Sequence, residues 1–282
     1  MYFPYLRGRQ FELIALRELV ERKKIGQNII PIIEPIKPSA TLLKTLECFV
    51  KYDREIAVVF NPAVGDFSKK IREMRREDSK IANELYELLT KHDRIIKSYI
   101  MNDKIAAKLK KDEFKTEKLI INLNRDCLDD FLEAYEDTFP RYTLIPDDRA
   151  FRRVISESKV LFEDNFNKRL RNIDYIGHQD EFFSDSHLYF QKEDYVGFAD
   201  YSVVGEEFNE SGFAPVAVAI HVVYFDKKKE LRIHHFVCDS NEGIEDPGGK
   251  FGEALEKLVY WCDENNVQNT LGLQGFYENI QV

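Results

Sequence analysis

Six short apolar runs, each followed by a helix-like stretch, constrain this chain more than any other feature. They are NIIPIIEP (28–35), EIAVVFN (55–61), RIIKSYIM (94–101), KLIINLN (118–124), YTLIPD (142–147) and KVLFED (159–164). Most are continuous rather than alternating, as strands covered on both faces are. The stretches SATLLKTLECFVKYD, FSKKIREMRREDSKIANELYELL, NDKIAAKLKK, CLDDFLEAYED and RAFRRVIS separate them and read as helices. Strand and helix alternating with short connections imply a parallel sheet with right-handed crossovers. Six near-equal units leave two places in an eight-fold ring. GFADYS (197–202) is the expected seventh strand and PVAVAIHVVYF (215–225) the eighth. The eighth is paired through the charged turn DKKKE with LRIHHFVCD (231–239). KFGEALEKLVYWCDENN (250–266) reads as a closing helix.

The expected fold is therefore α/β, a divergent TIM-type (β/α)8 barrel with an N-terminal helix and a C-terminal β-hairpin plus helix. An open doubly wound sheet is the alternative. One barrel-like domain is expected over 1–282, with a cap helix in 1–26, a loop excursion at 165–194 and the hairpin at 214–239. Residues 11–24 read as an amphipathic helix, with Leu13, Leu16 and Val20 on one face. A helix that precedes a barrel strand starts near the C-terminal rim. Tyr5, Arg7 and Arg9 are therefore expected near that rim, where barrel sites form. One conflict remains: the helix at 250–266 would claim the same position beside the first strand.

Composition narrows the function classes. The chain has 282 residues, 44% of them hydrophobic, enough for a full core. A net charge of −9 argues against a general nucleic-acid binder. No run of 18 apolar residues exists, and no basic segment followed by an apolar stretch opens the chain, so neither a membrane span nor a secretory leader is expected. Cys48, Cys127, Cys238 and Cys262 are far apart and form no CxxC, which fits a reducing, cytoplasmic setting.

The strand ends are polar. Glu34 closes the first run, Asn61 the second, Asn122 and Asn124 the fourth, Asp147 the fifth, Glu163 the sixth and Asp200 the seventh. Glu34, Asp147, Glu163 and Asp200 converging at a barrel mouth would hold Mg2+ or Mn2+, or would divide into acid and base. The same residue types also cap the helices that follow strands. Arg7, Arg9 and Lys250 are the anion-binding candidates; Lys250 ends DPGGK (246–250) at a helix start, where free N–H groups can cradle a phosphate. That segment reads equally as plain helix entry. His221 and His235 are expected opposite each other if the turn centres on Lys228, either as a metal pair or as a buried hydrogen-bonded pair. Lys69, Lys70, Arg72, Arg75 and Arg76 make a basic helix segment, a nucleic-acid stripe or, with Glu73, Glu77 and Asp78 beside them, a salt-bridged face. GxSxG, HExxH, GxGxxG and a Cys–His nucleophile set are all absent.

The strings PYLRGRQFELIALREL and IIPIIEPIK, with VGFADYSVVG, AVAIHVVYF and DPGGKFGEALEKL, resemble the beta protein family, named for a phage T4 protein. The resemblance covers nearly the whole chain. It implies a divergent TIM-type barrel of bacteria and phages, in mobile or defence-related settings, encoded beside a second protein and without an assigned reaction. The chain stops soon after GLQGFYENIQ (272–281), so the tail of such proteins is expected to be short or missing. Three functions follow as expectations. One is a component of an anti-phage defence system, a barrel-shaped sensor or scaffold binding a co-encoded effector, with a nuclease as one candidate. Nucleic acid would then be reached only through the partner, or not at all. Another is a metal-dependent hydrolase or phosphodiesterase using the strand-end carboxylates. The last is a nucleotide sensor with Arg7, Arg9 and Lys250 on phosphate.

Overall fold

The computed structural model describes residues 1–136, 138–202, 205–208, 216–265 and 267. In chain order the elements begin β1 (Tyr2–Leu6), α1 (Gln10–Glu21), β2 (Ile32–Ile33), α2 (Ala40–Lys51), β3 (Ile56–Val59), α3 (Phe67–Arg76) and α4 (Lys80–Lys91). They continue with β4 (Ile95–Ile100), α5 (Asp103–Leu109), β5 (Leu119–Ile121), α6 (Leu128–Tyr135), β6 (Tyr142–Ile145), α7 (Arg149–Val154) and β7 (Lys159–Glu163). The last are β8 (Asp180–Ser184), α8 (Ser186–Tyr189), β9 (Gly197–Asp200), β10 (Ala219–Phe225), β11 (Leu231–Val237) and α9 (Pro247–Asn265).

Strands β1 to β7 and β9 close into a parallel eight-stranded barrel, the expected (β/α)8 ring. The eighth place, however, is taken by β1 and not by 215–225. Tyr5 of β1 lies opposite Ile32 of β2, and Phe3 lies opposite Ala199 of β9. Residues 1–26 are thus a complete strand–helix unit rather than a cap helix. Phe3 and Tyr5 are buried and alternate with half-buried neighbours, so the strand fills the ring with every second side chain.

The chain divides into two compact units. The first comprises residues 1–164 and 186–202, the second 165–185 and the described residues from 205 onward. In the second unit, β10, β11 and β8 form an antiparallel sheet in the order β10-β11-β8. The expected hairpin pairs with β8, a strand inside the 165–194 stretch that reads as a loop in sequence. The start of the hairpin at 214–215 and the string at 272–281 lie outside the described residues. Leu258 and Cys262 of α9 pack with Phe236 on one face of this sheet. Tyr175, Ala217, Val237 and Cys238 make a separate cluster.

Within the barrel, strand alternation sorts the side chains. Phe3, Tyr5, Ile32, Ala57, Val59, Ile96, Leu119, Ile121, Leu144, Val160, Phe162, Ala199 and Tyr201 form the interior cluster. Ile33, Ile56, Val58 and Ile95 pack outward on α1 to α4, and Ile120, Ile145 and Leu161 outward on α5 to α7. Several of the helices that follow strands start on side-chain caps: Ser39 accepts from the Leu42 N–H at 3.1 Å and Asn102 from Ile105 at 3.0 Å. Asp148, a strand-end carboxylate, accepts from Ala150 at 2.7 Å in the same way.

Candidate functional site

The mouth of the barrel is organised around one carboxylate. Glu34 follows Ile33 at the end of β2, in phase with the inward-facing Ile32, and is fully buried. Its Oε2 accepts the Tyr5 hydroxyl at 2.8 Å and a hydrogen bond from Nη1 of Arg7. Its Oε1 accepts the backbone N–H of Ala63 at 2.6 Å and of Val64 at 3.3 Å. Tyr5 and Arg7 are two residues apart on β1 and its extension, so both face inward beside Glu34. Tyr5, Phe162 and Tyr201 form a ring cluster with centroids 4.6–5.2 Å apart. The Arg7 guanidinium stands 5.4 Å from the Tyr5 ring and 5.1 Å from Tyr201. Burial, and next the Glu34 charge, push the Tyr5 phenol well above its ordinary range, so it remains a neutral donor.

Two glycines make this geometry possible. Gly8 turns the chain out of β1 at φ +64°. Gly65, at φ +68°, brings the 63–65 loop onto Ile36; a Cβ there would stand 2.7 Å from Ile36 Cα. Gly65→Ala should therefore lower stability by about 1–3 kcal/mol and move the Ala63 and Val64 N–H groups off Glu34. Chemical denaturation and amide exchange at residues 63–64 check both effects.

The expected convergence of carboxylates does not form. Asp147 follows outward-facing Ile145 by two residues and pairs with Arg152 of α7 at 3.0 Å. Glu163 follows outward-facing Leu161 by two and accepts from Ser186 of α8. Asp200 follows Phe198, which packs outward, and accepts the Tyr2 hydroxyl at 3.0 Å and the Ser202 N–H at 2.9 Å. Burial raises the Asp200 carboxyl above its ordinary value. Only Glu34 of the four faces the interior. Among the described residues, no three His, Cys, Asp or Glu side chains come together as metal ligands. Among the described residues, the four strand-end carboxylates therefore do not gather into one ligand set for Mg2+ or Mn2+ at the mouth.

The anion candidates take different partners. Arg7 is committed to Glu34. Arg9 is an exposed residue at the start of α1, and its backbone N–H donates to Glu12 at 3.0 Å. Lys250 belongs to the second unit, where it is buried and its ammonium donates to the carbonyls of Val216 (2.8 Å) and Gly243. It ties the 243–250 loop to Val216. DPGGK is helix entry: Asp246 accepts the Gly249 N–H at 3.0 Å.

His221 and His235 do lie opposite each other, with Nδ1 atoms 2.6 Å apart. Tyr175 and Phe166 ring them, and Glu181 lies 3.3 Å from His235 Nε2. The contact is a hydrogen bond between two imidazoles. On α3, Lys70 pairs with Asp66 at 2.8 Å and Lys69 approaches Glu73 at 3.9 Å, a salt-bridged face. Sequence reasoning placed Tyr5 near the rim but found neither its hydrogen bond to Glu34 nor Tyr201 beside it. The period-two pattern of YFPYLR carries the signal for Tyr5, once it is read as a strand.

Comparison with family models, with curated proteins and with solved structures gives no match. Among the described residues, no helix is long and apolar enough to cross a membrane.

Proposed function

We propose that this chain is a barrel-shaped binding scaffold that engages a co-encoded protein, as a component of a bacterial anti-phage defence system. The observation that carries the non-catalytic part is the state of Glu34. Four donors saturate its oxygens, and the pair with Arg7 is neutral within the cluster, so no lone pair is left for a metal or a transferred proton. The other strand-end carboxylates face away from it and take structural partners. A hydrolase that divides acid and base between two strand-end carboxylates would need both of them on one substrate. The defence setting and the co-encoded partner rest on the resemblance to the beta protein family, which pairs its members with a neighbouring gene product. Any contact with nucleic acid would pass through that partner.

Native mass spectrometry of the tagged chain, expressed with its genomic neighbours, tests this proposal. The expected result is a mass equal to this chain plus one neighbour. A lone chain carrying one or two divalent metals would overturn it in favour of an enzyme.

A further inference from the structure

We propose that the N-terminal end of the barrel holds a binding site for a phosphorylated small molecule, with Lys97 and Lys118 as its principal ligands. This site is separate from the barrel mouth and does not depend on the scaffold role.

A cavity of ≈ 490 Å3 opens there, between the turn that leads into β4 and the 3-10 turn Lys115–Glu117. Strand register explains its charge. Ser98 of β4 lies opposite Leu119 of β5, and Leu119 lies opposite Tyr142 of β6. One residue earlier on each strand come Lys97, Lys118 and Arg141. Three cationic residues thus occupy adjacent strand positions, their backbones about 4.8 Å apart. All three line the cavity, as does Lys91, against only two lining carboxylates, Asp93 and Glu117.

The four cations are not equally satisfied. Lys91 pairs with Glu87 at 2.6 Å. Arg141 makes two hydrogen bonds to Glu55, at 2.7 and 2.9 Å. Among the described residues, Lys97 has a neutral acceptor, the Thr90 carbonyl at 3.1 Å. Lys118 is the decisive group. Its side chain is 7% exposed, and its nearest carboxylate oxygen among the described residues, on Asp112, is 3.6 Å away. An ammonium buried to that degree, near two further cations and held among the described residues by an ion pair longer than a hydrogen bond, is costly unless an anion completes it. A phosphoryl group supplies both the charge and several acceptor oxygens, and lysine binds it as a point charge. Phe114 lines the same cavity and is 59% exposed, so its ring face can take a nucleobase.

The test is calorimetric titration at low salt with sodium tripolyphosphate and, separately, with ATP. Proteins are the wild type, Lys97→Gln, Lys118→Gln and the exposed-lysine control Lys104→Gln. Wild type and control should bind, and Lys97→Gln should bind about tenfold to a hundredfold more weakly. Without ligand, Lys97→Gln should melt no lower than wild type, because it relieves like-charge repulsion. It therefore carries the test even if Lys118→Gln fails to fold. Tighter binding of ATP than of tripolyphosphate would assign a nucleotide; equal binding would assign the phosphate chain alone. Either supports the site. Absence of binding by both compounds at millimolar concentration, or equal affinity of wild type and Lys97→Gln, would overturn it.

Discussion

Arg7→Met should destabilise the first unit by about 3–5 kcal/mol, because it strips the counter-ion from a fully buried carboxylate. Glu34 would keep the Tyr5 hydroxyl and the Ala63 and Val64 N–H groups, and these donors reduce the loss but do not replace a charge. For a chain of this size the melting temperature should fall by roughly 10 °C. Arg7→Lys keeps the charge but not the planar fork that reaches Glu34 between two aromatic rings, so it should lie between wild type and Arg7→Met. Thermal and urea unfolding check the order. A wild-type-like Arg7→Met would mean that Glu34 is not held as a charged, buried group.

The second unit should lose stability as the pH falls from about 6.5 to about 4, by roughly 2–3 kcal/mol. Burial, and then the neighbouring His235, push His221 down from 6.5 to about 4. Burial also lowers His234 and His235, against the opposing pull of Asp180 and Glu181 respectively. A histidine whose pKa is lower folded than unfolded binds fewer protons in the native state. Its contribution is therefore fully present above the unfolded value and lost as acid is added.

The geometry gives the same sign. If His235 donates Nε2–H to Glu181, which also holds Arg169 at 2.6 Å, its Nδ1 must accept from Nδ1–H of His221. A proton on His235 Nδ1 would place two donors face to face. Trp261, the sole tryptophan, packs at a tilt against His234 with centroids 4.6 Å apart and reports on this unit by fluorescence. His221→Gln should flatten the dependence between pH 4 and 6.5. A melting temperature that does not change across that range in the wild type would contradict the neutral pair.

The barrel was legible because its central strands are continuous apolar runs between helices, a pattern set by burial on both faces. The first strand was not. YFPYL is short, contains Pro4 and precedes a clear helix, so it looks like a cap until its neighbours β2 and β9 close the ring around it. β8 was hidden for a different reason. DEFFS sits in a polar and aromatic stretch and is a strand only because β11 pairs with it. The hairpin register, by contrast, followed from the turn, which placed His221 opposite His235.

At the site, Glu34 and Arg7 were each legible as rim residues, but their pairing was not, since it depends on β1 lying beside β2. The outward direction of Glu163 and Asp200 was available in the alternation of KVLFED and GFAD. Strand-end carboxylates attract a catalytic reading whatever face they occupy, and parity is the filter that removes them. Lys250 shows a related limit. A lysine at a helix start suggests an anion, yet two carbonyls inside its own loop claim it.

If Glu34 is the structural counter-ion of Arg7, the two side chains must be coupled in stability. A double-mutant cycle of Arg7→Met and Glu34→Gln, measured by urea unfolding, tests this most directly. The predicted coupling is about 2–3 kcal/mol, with the double variant more stable than Arg7→Met alone. Additive losses, within about 0.5 kcal/mol, would show that the pair does not hold the mouth together and would return Glu34 to the list of reactive groups.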